Sequence, residues 1–275
     1  MRHSFEYVCL DLDGTLLNSA KEISPVNCDT IKRLHKAGIR FIIATGRHLE
    51  ESLDFLKRYG LEDEFDYVVF ADGSQVHDIR LARTTSIKLL STTDLRTVSK
   101  ITGLKDLAYY EEDNDYFVFS TLSRRTIRKF LKNNSVVHKG KDRYIYYPLL
   151  CLHGSRTIEK IVLPLIPLEQ KAELSKHYQI LELPSSVEVL PTDKSCAIKQ
   201  LMDSLGKPYD KLVFFGDEYN DLSCFEAFPS VVMSNAPEEL RRYSLIETIS
   251  NDDDGVAVAL DGLFSSLPDS CDIIH

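Results

Sequence analysis

The sequence predicts an α/β protein in which a parallel-sheet core, built from both ends of the chain, is interrupted by an inserted α+β unit. Three observations predict it. Short apolar runs alternate with helical patterns over residues 1–82 and again over 189–275, the order that gives parallel strands joined by right-handed crossovers. Residues 83–188 break that order, with aromatic and β-branched runs between shorter helical stretches. Charge divides at the same places: 83–188 carries a net +5 and the flanks together −14, making up the formal −9.

In the first flank, Glu6 to Asp11 is a buried-type strand. Ser24 to Ala37 reads as a helix, with a Ser24 cap, Pro25 just inside it and Gly38 beyond its end. Ile39 to Ala44 is a second strand, 49–58 a second helix closed by Gly60, and Tyr67 to Ala71 a third strand. The last flank resumes the pattern. Asp193 to Leu205 is a helix with Ala197, Ile198, Leu201 and Leu205 on one face, Leu212 to Phe215 a strand, 219–227 a helix, Val231 to Met233 a strand, Leu245-Ile246 a short strand, and Gly255 to Phe264 a closing helix. Between them, strands are expected at 116–119, 144–147 and 158–163, with helices near 93–102, 123–132 and 168–178. That combination predicts an antiparallel sheet with helices, a second domain or cap.

Composition narrows the classes. With 275 residues, 43% of them hydrophobic and 27% charged, the chain is long enough to bury roughly 70–75% of its unfolded surface without disulfides or structural metals. Six scattered cysteines without a C-x-x-C pair and eight dispersed histidines argue against a disulfide framework or a zinc knuckle. The acidic flanks disfavour nucleic acid. No apolar run approaches a membrane span, and the N-terminus lacks the apolar core of a signal peptide, so the chain is expected to be cytoplasmic. A small anionic ligand fits the charge pattern. Nothing in the sequence specifies an oligomeric state.

Chemistry concentrates at predicted strand ends: Asp11 and Asp13, Thr45, Asp72, and Asp217 to Asp221. In open parallel sheets that edge binds ligands, so acidic groups far apart in the chain can converge there. Carboxylates so gathered repel one another unless a cation intervenes, and hard oxygen ligands suit Mg²⁺. If the first strand continues, Asp11 and Asp13 share a face; a turn at Gly14 would instead swing the second over the first. Either way they share a site.

Asp11-Leu12-Asp13-Gly14-Thr15-Leu16-Leu17, then Ala44-Thr45-Gly46-Arg47, then Lys194 at a helix start, then Gly216-Asp217-Glu218-Tyr219-Asn220-Asp221 resemble in order and spacing the four motifs of the haloacid dehalogenase (HAD) superfamily. The chain is most similar to the Cof-type sugar-phosphatase branch, which carries a large α/β cap between motifs two and three. Met233 to Leu240 and Asp254-Gly255-Val256-Ala257 are similar to that branch's closing segments. The resemblance covers both flanks, while the insert matches in position and size alone.

The resemblance implies a Rossmann-like core and Mg²⁺-dependent phosphoryl transfer through an aspartyl-phosphate. Asp11 is then the nucleophile, and Asp13 the acid that protonates the leaving oxygen and the base that activates water. Thr45, Gly46, Lys194 and Asn220 would hold the phosphoryl oxygens. Asp11, Asp217 and the backbone carbonyl of Asp13 would ligate Mg²⁺, with Asp221 acting through a bound water or by holding Lys194. Cap closure would exclude water and select the leaving group. A small phosphorylated metabolite, such as a sugar phosphate, is the implied substrate.

Two positions depart from the family pattern: Ser195 follows the lysine where Gly is usual, and Asp72 stands where Asn is common. Asp72 either tunes substrate preference or forms the turn. Arg47 either contacts substrate or pairs with an acidic neighbour. In the insert, Arg124, Arg128 and Lys132 line a basic helix face, and Arg143, with Lys139 and Lys141, is a further candidate for the non-reacting part of an anionic substrate. The rival readings are a phosphotransferase or phosphomutase on the same scaffold, and a silent regulatory binding protein. The joint presence of Asp11, Asp13, Thr45, Lys194 and Asp217 weighs against the second. Dehalogenation needs no metal and leaves Asp217 and Asp221 without a cation partner.

Overall fold

Strand β1 (Tyr7–Leu10) is buried at every residue, as a strand covered on both faces must be. The computed structural model describes residues 5–104, 107–111, 114–120, 143–147 and 157–265, with backbone alone at 111, 114–120 and 143–147. After β1 come α1 (Pro25–Lys36), β2 (Arg40–Ala44), α2 (Leu49–Arg58), β3 (Phe65–Phe70), β4 (Gln75–Asp78) and β5 (Arg83–Ser86). The insert contains β6 (Leu90–Ser91), α3 (Thr92–Thr102), β7 (Leu107–Glu111), β8 (Asn114–Ser120), β9 (Arg143–Tyr147), β10 (Thr157–Leu163), α4 (Leu168–Leu174), β11 (Gln179–Glu182) and β12 (Val187–Leu190). The chain then adds α5 (Lys194–Ser204), β13 (Leu212–Gly216), α6 (Leu222–Ala227), β14 (Ser230–Met233), α7 (Glu238–Arg241), β15 (Ile246–Thr248) and α8 (Gly255–Leu263).

One unit comprises Met1–Ile87 with Asp193–His275 and the other Lys88–Thr192. In the first, an eight-stranded sheet runs β15-β14-β13-β1-β2-β3-β4-β5. The six strands from β15 to β3 are parallel, and β4 and β5 extend the edge as an antiparallel pair. Side chains alternate across a strand, and β1 divides accordingly. Val8 and Leu10 pack with Ile31 and Leu34 of α1, Leu56 of α2 and Leu260 of α8. Tyr7 and Cys9 pack with Ala197, Ile198 and Met202 of α5 and Phe225 of α6. Helices on both faces of a mainly parallel sheet are the α/β, Rossmann-like arrangement.

Local chemistry sets the elements that matter most. Ser24 caps α1 by accepting from the Asn27 N–H at 3.1 Å, and Pro25 takes the first helical position, where its missing N–H costs nothing. Asp193 caps α5 by accepting from Cys196 N–H at 3.0 Å. That cap fixes where the first turn of α5, and so Lys194, begins.

The second unit has its own core, in which Leu95 and Val98 of α3 and Leu174 of α4 cover Tyr109, Ile158, Ile161 and Val189. Its sheet runs β11-β12-β10-β7-β8-β9, with β6 on β10. The expected antiparallel sheet is corrected in one place: β8 and β9 pair in parallel, and the connection 121–142 exceeds the dozen or so residues a parallel pair requires. The expected boundaries at 83 and 188 also shift. Residues 83–86 form β5 on the core sheet, and Val189 and Leu190 complete β12 of the insert sheet. Helix 168–178 stops at Leu174. The helix expected at 123–132, with Arg124, Arg128 and Lys132, and residues Lys139 and Lys141 lie outside the described residues. Among the described residues, no helix is long and apolar enough to cross a membrane.

Two positions on α1 separate core from surface. Leu34 is fully buried and Val26 is 50% exposed. Leu34→Ala is expected to cost about 2–5 kcal/mol and Val26→Ala about 0.5 kcal/mol or less, as read from urea unfolding.

Candidate active site

Asp11 follows the last residue of β1 and continues the side-chain parity of Tyr7 and Cys9, toward the face that α5 covers. Its N–H donates to Phe215 C=O on β13 at 3.0 Å, so the strand pairing extends one step past Leu10. Lys194 opens α5 on that face, and its Nζ donates to Asp11 Oδ1 and Asp221 Oδ1, both at 2.7 Å. Lys194 is 1% exposed, Asp11 5% and Asp221 0%, so the pairing is shielded from water. Burial alone would strip the Lys194 proton, but the two carboxylates hold it there, well above the usual lysine range. Burial pushes the Asp11 carboxyl well above its usual range against the opposing pull of Lys194.

Asp221 has a second task. Its Oδ2 accepts from the N–H groups of Asp217 at 3.1 Å and Glu218 at 3.2 Å, closing the turn that leaves β13. That turn brings Asp217 to the same place. Among the described residues, Asp11, Asp217 and Asp221 offer oxygens within 4.8 Å of one another. Asp217 Oδ1 accepts from Thr15 Oγ at 3.0 Å. Burial, then the nearby Asp221 charge, raise the Asp217 carboxyl to about 7. Three carboxyl groups against one ammonium give an excess of negative charge once they ionise, and an all-oxygen donor set is the kind a hard divalent cation takes.

Close approach makes Gly14 obligatory. Its φ is +80°, and a Cβ there would stand 2.1 Å from Asp217 Oδ2. Asp13, just before this glycine, has partners of its own. The Asp13 carboxylate is gripped by Arg47, Nε to Oδ2 at 2.6 Å and a terminal nitrogen to Oδ1 at 2.8 Å, and by Lys21 Nζ at 2.7 Å. Burial would raise this carboxyl, but the hydrogen bonds from Arg47 and Lys21 outweigh it and pull it down to about 2. Of the two readings for Arg47, the structure shows the acidic pairing, braced by the Phe55 ring 4.8 Å below its guanidinium.

Thr45 follows the last residue of β2 and is 2% exposed. Its Oγ accepts from Arg47 N–H at 3.2 Å, keeping its own proton to donate. Asp72 lies in a 3-10 turn after β3, where Ala71 and Asp72 both have positive φ, 49° and 53°. Such backbone strain is stored preferentially at functional sites. The Asp72 carboxylate faces Gly46, where a Cβ would meet its Oδ1 at 2.7 Å. Asn220 sits in the turn between Asp217 and Asp221, and its Oδ1 is buried without a hydrogen bond among the described residues. Ser195, the departure beside Lys194, donates to the capping Asp193 at 2.6 Å. Arg143 lies on β9, whose side chains fall outside the described residues.

The core thus brings Asp11, Lys194, Asp217 and Asp221 together, while the Asp13 carboxylate pairs with Arg47 and Lys21. Sequence reasoning passed over Thr15, Lys21 and Asn235 as site residues, although Thr15 and Asn235 lay within motifs already marked. Asn235 Nδ2 donates to Asp217 Oδ2 at 3.1 Å.

A family model of haloacid dehalogenase-like hydrolases matches residues 8–260. The chain belongs to the haloacid dehalogenase (HAD) family. It is similar to the 5-amino-6-(5-phospho-D-ribitylamino)uracil phosphatase YwtE of Bacillus subtilis, 31% identical over 94% of this chain and 98% of that one. It is also similar to the putative phosphatase YxeH of the same organism, 25% identical over 93% and 97%. Two solved structures share the fold. One is a haloacid dehalogenase-like hydrolase from Bacteroides thetaiotaomicron (TM-score 0.71, 23% identity, 94% of this chain and 100% of that one). The other is a HAD subclass IIB sugar phosphatase (TM-score 0.72, 17% identity, 94% and 100%). The HAD chain is a phosphatase with a Rossmann-like core and an inserted second unit.

The carboxyl balance has a measurable consequence. Asp217 keeps its proton to about pH 7 when folded and loses it near its ordinary 3.8 when unfolded, so raising pH across that interval favours the unfolded chain. With chelator present, the melting temperature is expected to fall between about pH 4 and pH 7 and to level off above. Asp217→Asn should flatten that slope; an unchanged slope would show that Asp217 does not hold the proton.

Proposed function

We propose that this HAD phosphatase is Mg²⁺-dependent and hydrolyses a small phosphate monoester, of the sugar-phosphate class, through an aspartyl-phosphate on Asp11. The observation that carries the reading is the buried grouping of Asp11, Asp217 and Asp221 around the Lys194 ammonium.

The donor set fits the ion. Asp11, Asp217 and the Asp13 backbone carbonyl would hold Mg²⁺, and Asp221 would serve it through the turn it closes and the lysine it shares. When bound, the ion would offset the repulsion between the nucleophile and an anionic phosphate. The remaining work belongs to side chains. Lys194 holds Asp11 Oδ1 at 2.7 Å, which orients the other carboxylate oxygen for in-line attack on phosphorus. The Asp11 oxygen forms a bond to phosphorus as the ester oxygen leaves. The Thr45 hydroxyl, the loop at Gly46, Lys194 and Asn220 bind the three equatorial oxygens as charge spreads over them.

Asp13 completes both halves. Its proton goes to the leaving oxygen, and it later takes one from the water that attacks phosphorus and releases Asp11. In the geometry described, Arg47 and Lys21 hold Asp13 ionised, the state the second half needs. For the first half it must give up those partners and take a proton from solvent, which it then passes to the ester oxygen as that oxygen leaves. Arg47, once released, would meet an anionic substrate, and Asp72 beside Gly46 would tune substrate preference.

Selection of the leaving group is assigned to the insert, with its net positive charge and with Arg143 among its candidates. A relative named as a 5-amino-6-(5-phospho-D-ribitylamino)uracil phosphatase and a sugar-phosphatase neighbour support a polyhydroxylated leaving group.

A generic aryl phosphate is expected to be hydrolysed with Mg²⁺ and not with excess chelator, and Asp11→Asn should lower kcat by at least about 10⁴-fold, the scale seen when a nucleophile is removed. Steady-state assays of purified wild type and variant check both. Equal rates for the two proteins would end the nucleophile assignment.

A further inference from the structure

Asp11 and Asp221 share the Lys194 ammonium, whereas the Asp217 side chain is held by neutral donors. The Thr15 hydroxyl binds Oδ1 at 3.0 Å and the Asn235 amide binds Oδ2 at 3.1 Å. The same Nδ2 donates to Gly14 C=O at 2.9 Å, so one amide ties the end of β14 to both the Asp217 side chain and the loop that follows Asp13. The other end of the amide is held too: Asn235 Oδ1 accepts from Asn251 N–H at 3.2 Å. These partners determine the amide's orientation, because exchanging its O and N would set two acceptors against an acceptor and one donor against a donor. Asn251 is anchored in turn, its Nδ2 donating to Leu17 C=O at 2.8 Å. Two asparagines thus link the loops after β1, β13, β14 and β15 in one network.

A carboxylate has about four lone-pair positions. With one on each oxygen taken by a neutral donor, Asp217 is oriented from both sides, its remaining lone pairs stay open for a further ligand, and neither donor brings a positive charge that would compete with one. A cationic donor in place of Asn235 would orient it equally well but cancel the charge. A hydrogen-bonded outer partner that orients a metal ligand raises the affinity of the site.

We propose that Asn235 is the positioning residue of Asp217, and that its amide sets the affinity of the acidic cluster for a divalent cation while leaving the cluster's charge intact. This rests on the reading of that cluster as the Mg²⁺ site. Sequence position alone conceals the role, since Asn235 is separated from Asp217 by α6 and β14 and is itself at the surface.

The test is calorimetric titration of the full-length protein with MgCl₂, with the rate at varied Mg²⁺ as a second readout and melting in chelator as a check on folding. Wild type is expected to take up Mg²⁺ and Asp217→Asn to lose that uptake. Asn235→Ala, and Asn235→Leu as the variant that keeps the side-chain volume, are expected to raise the Mg²⁺ Kd by about 10–100-fold. Their half-saturating Mg²⁺ should rise to match, while kcat at saturating Mg²⁺ stays within about threefold of wild type, because the amide orients a ligand and touches no reacting atom. A purely structural role would lower the melting temperature and leave the Kd of the folded molecules unchanged; that result overturns the proposal. If wild type takes up no Mg²⁺, or Asp217→Asn binds it as tightly as wild type, the metal-site reading fails and this inference with it. If those two behave as expected and both Asn235 variants bind within about twofold of wild type, the metal site stands and the positioning role of Asn235 is refuted.

Discussion

Burying an ammonium between carboxylates is the constraint from which the rest of the core follows. Desolvating any one of these groups alone costs several kcal/mol, and the pairing repays that only where geometry is good and the remaining lone pairs are satisfied. The fold supplies both. Asp193 starts α5 so that Lys194 faces the end of β1, Asp11 arrives there by strand parity, and Asp221 closes the β13 turn with its second oxygen. Among the described residues, the acidic cluster still holds one carboxylate more than Lys194 directly engages. That surplus sits on Asp217, and neutral donors hold it in place.

The two carboxylates of the first motif end in opposite environments although one residue separates them. Asp11 is sealed among the core and its carboxyl is pushed up by burial; Asp13 turns outward at Gly14 and is pulled down to about 2 by Arg47 and Lys21. Environments that drive neighbouring acids apart are what distinguish one role from another at a shared site. The difference lies in their partners, burial beside Lys194 for one and the pair of Arg47 and Lys21 for the other.

Much of this core was legible because its signals are local. A fully buried strand ending in Asp11 and a capped helix beginning at Lys194 are readable from apolar runs and start signals, and so is the alternation that makes the sheet parallel. The β4–β5 extension was not, since β5 is Arg-Thr-Thr-Ser with every residue exposed and offers no alternating apolar pattern. The parallel pairing of β8 with β9 depends on a connection whose path no periodicity reveals. At the site, residue identities were readable and their partners were not. The motif marks Asp13 without showing that Lys21, eight positions on, reaches back to it, and marks Met233 to Leu240 without showing that one amide there meets Asp217. Such contacts are decided by the close packing of loops, which a linear pattern does not encode.

The most direct test is crystallographic: crystals of the full chain grown with Mn²⁺ in place of Mg²⁺, and an anomalous difference map calculated at the manganese edge. The expected result is a strong peak coordinated by Asp11 and Asp217, with Lys194 still on Asp11. A map with no peak between those two carboxylates, from crystals whose protein hydrolyses phosphate esters in the same Mn²⁺ solution, would contradict the claim that this cluster is a catalytic cation site.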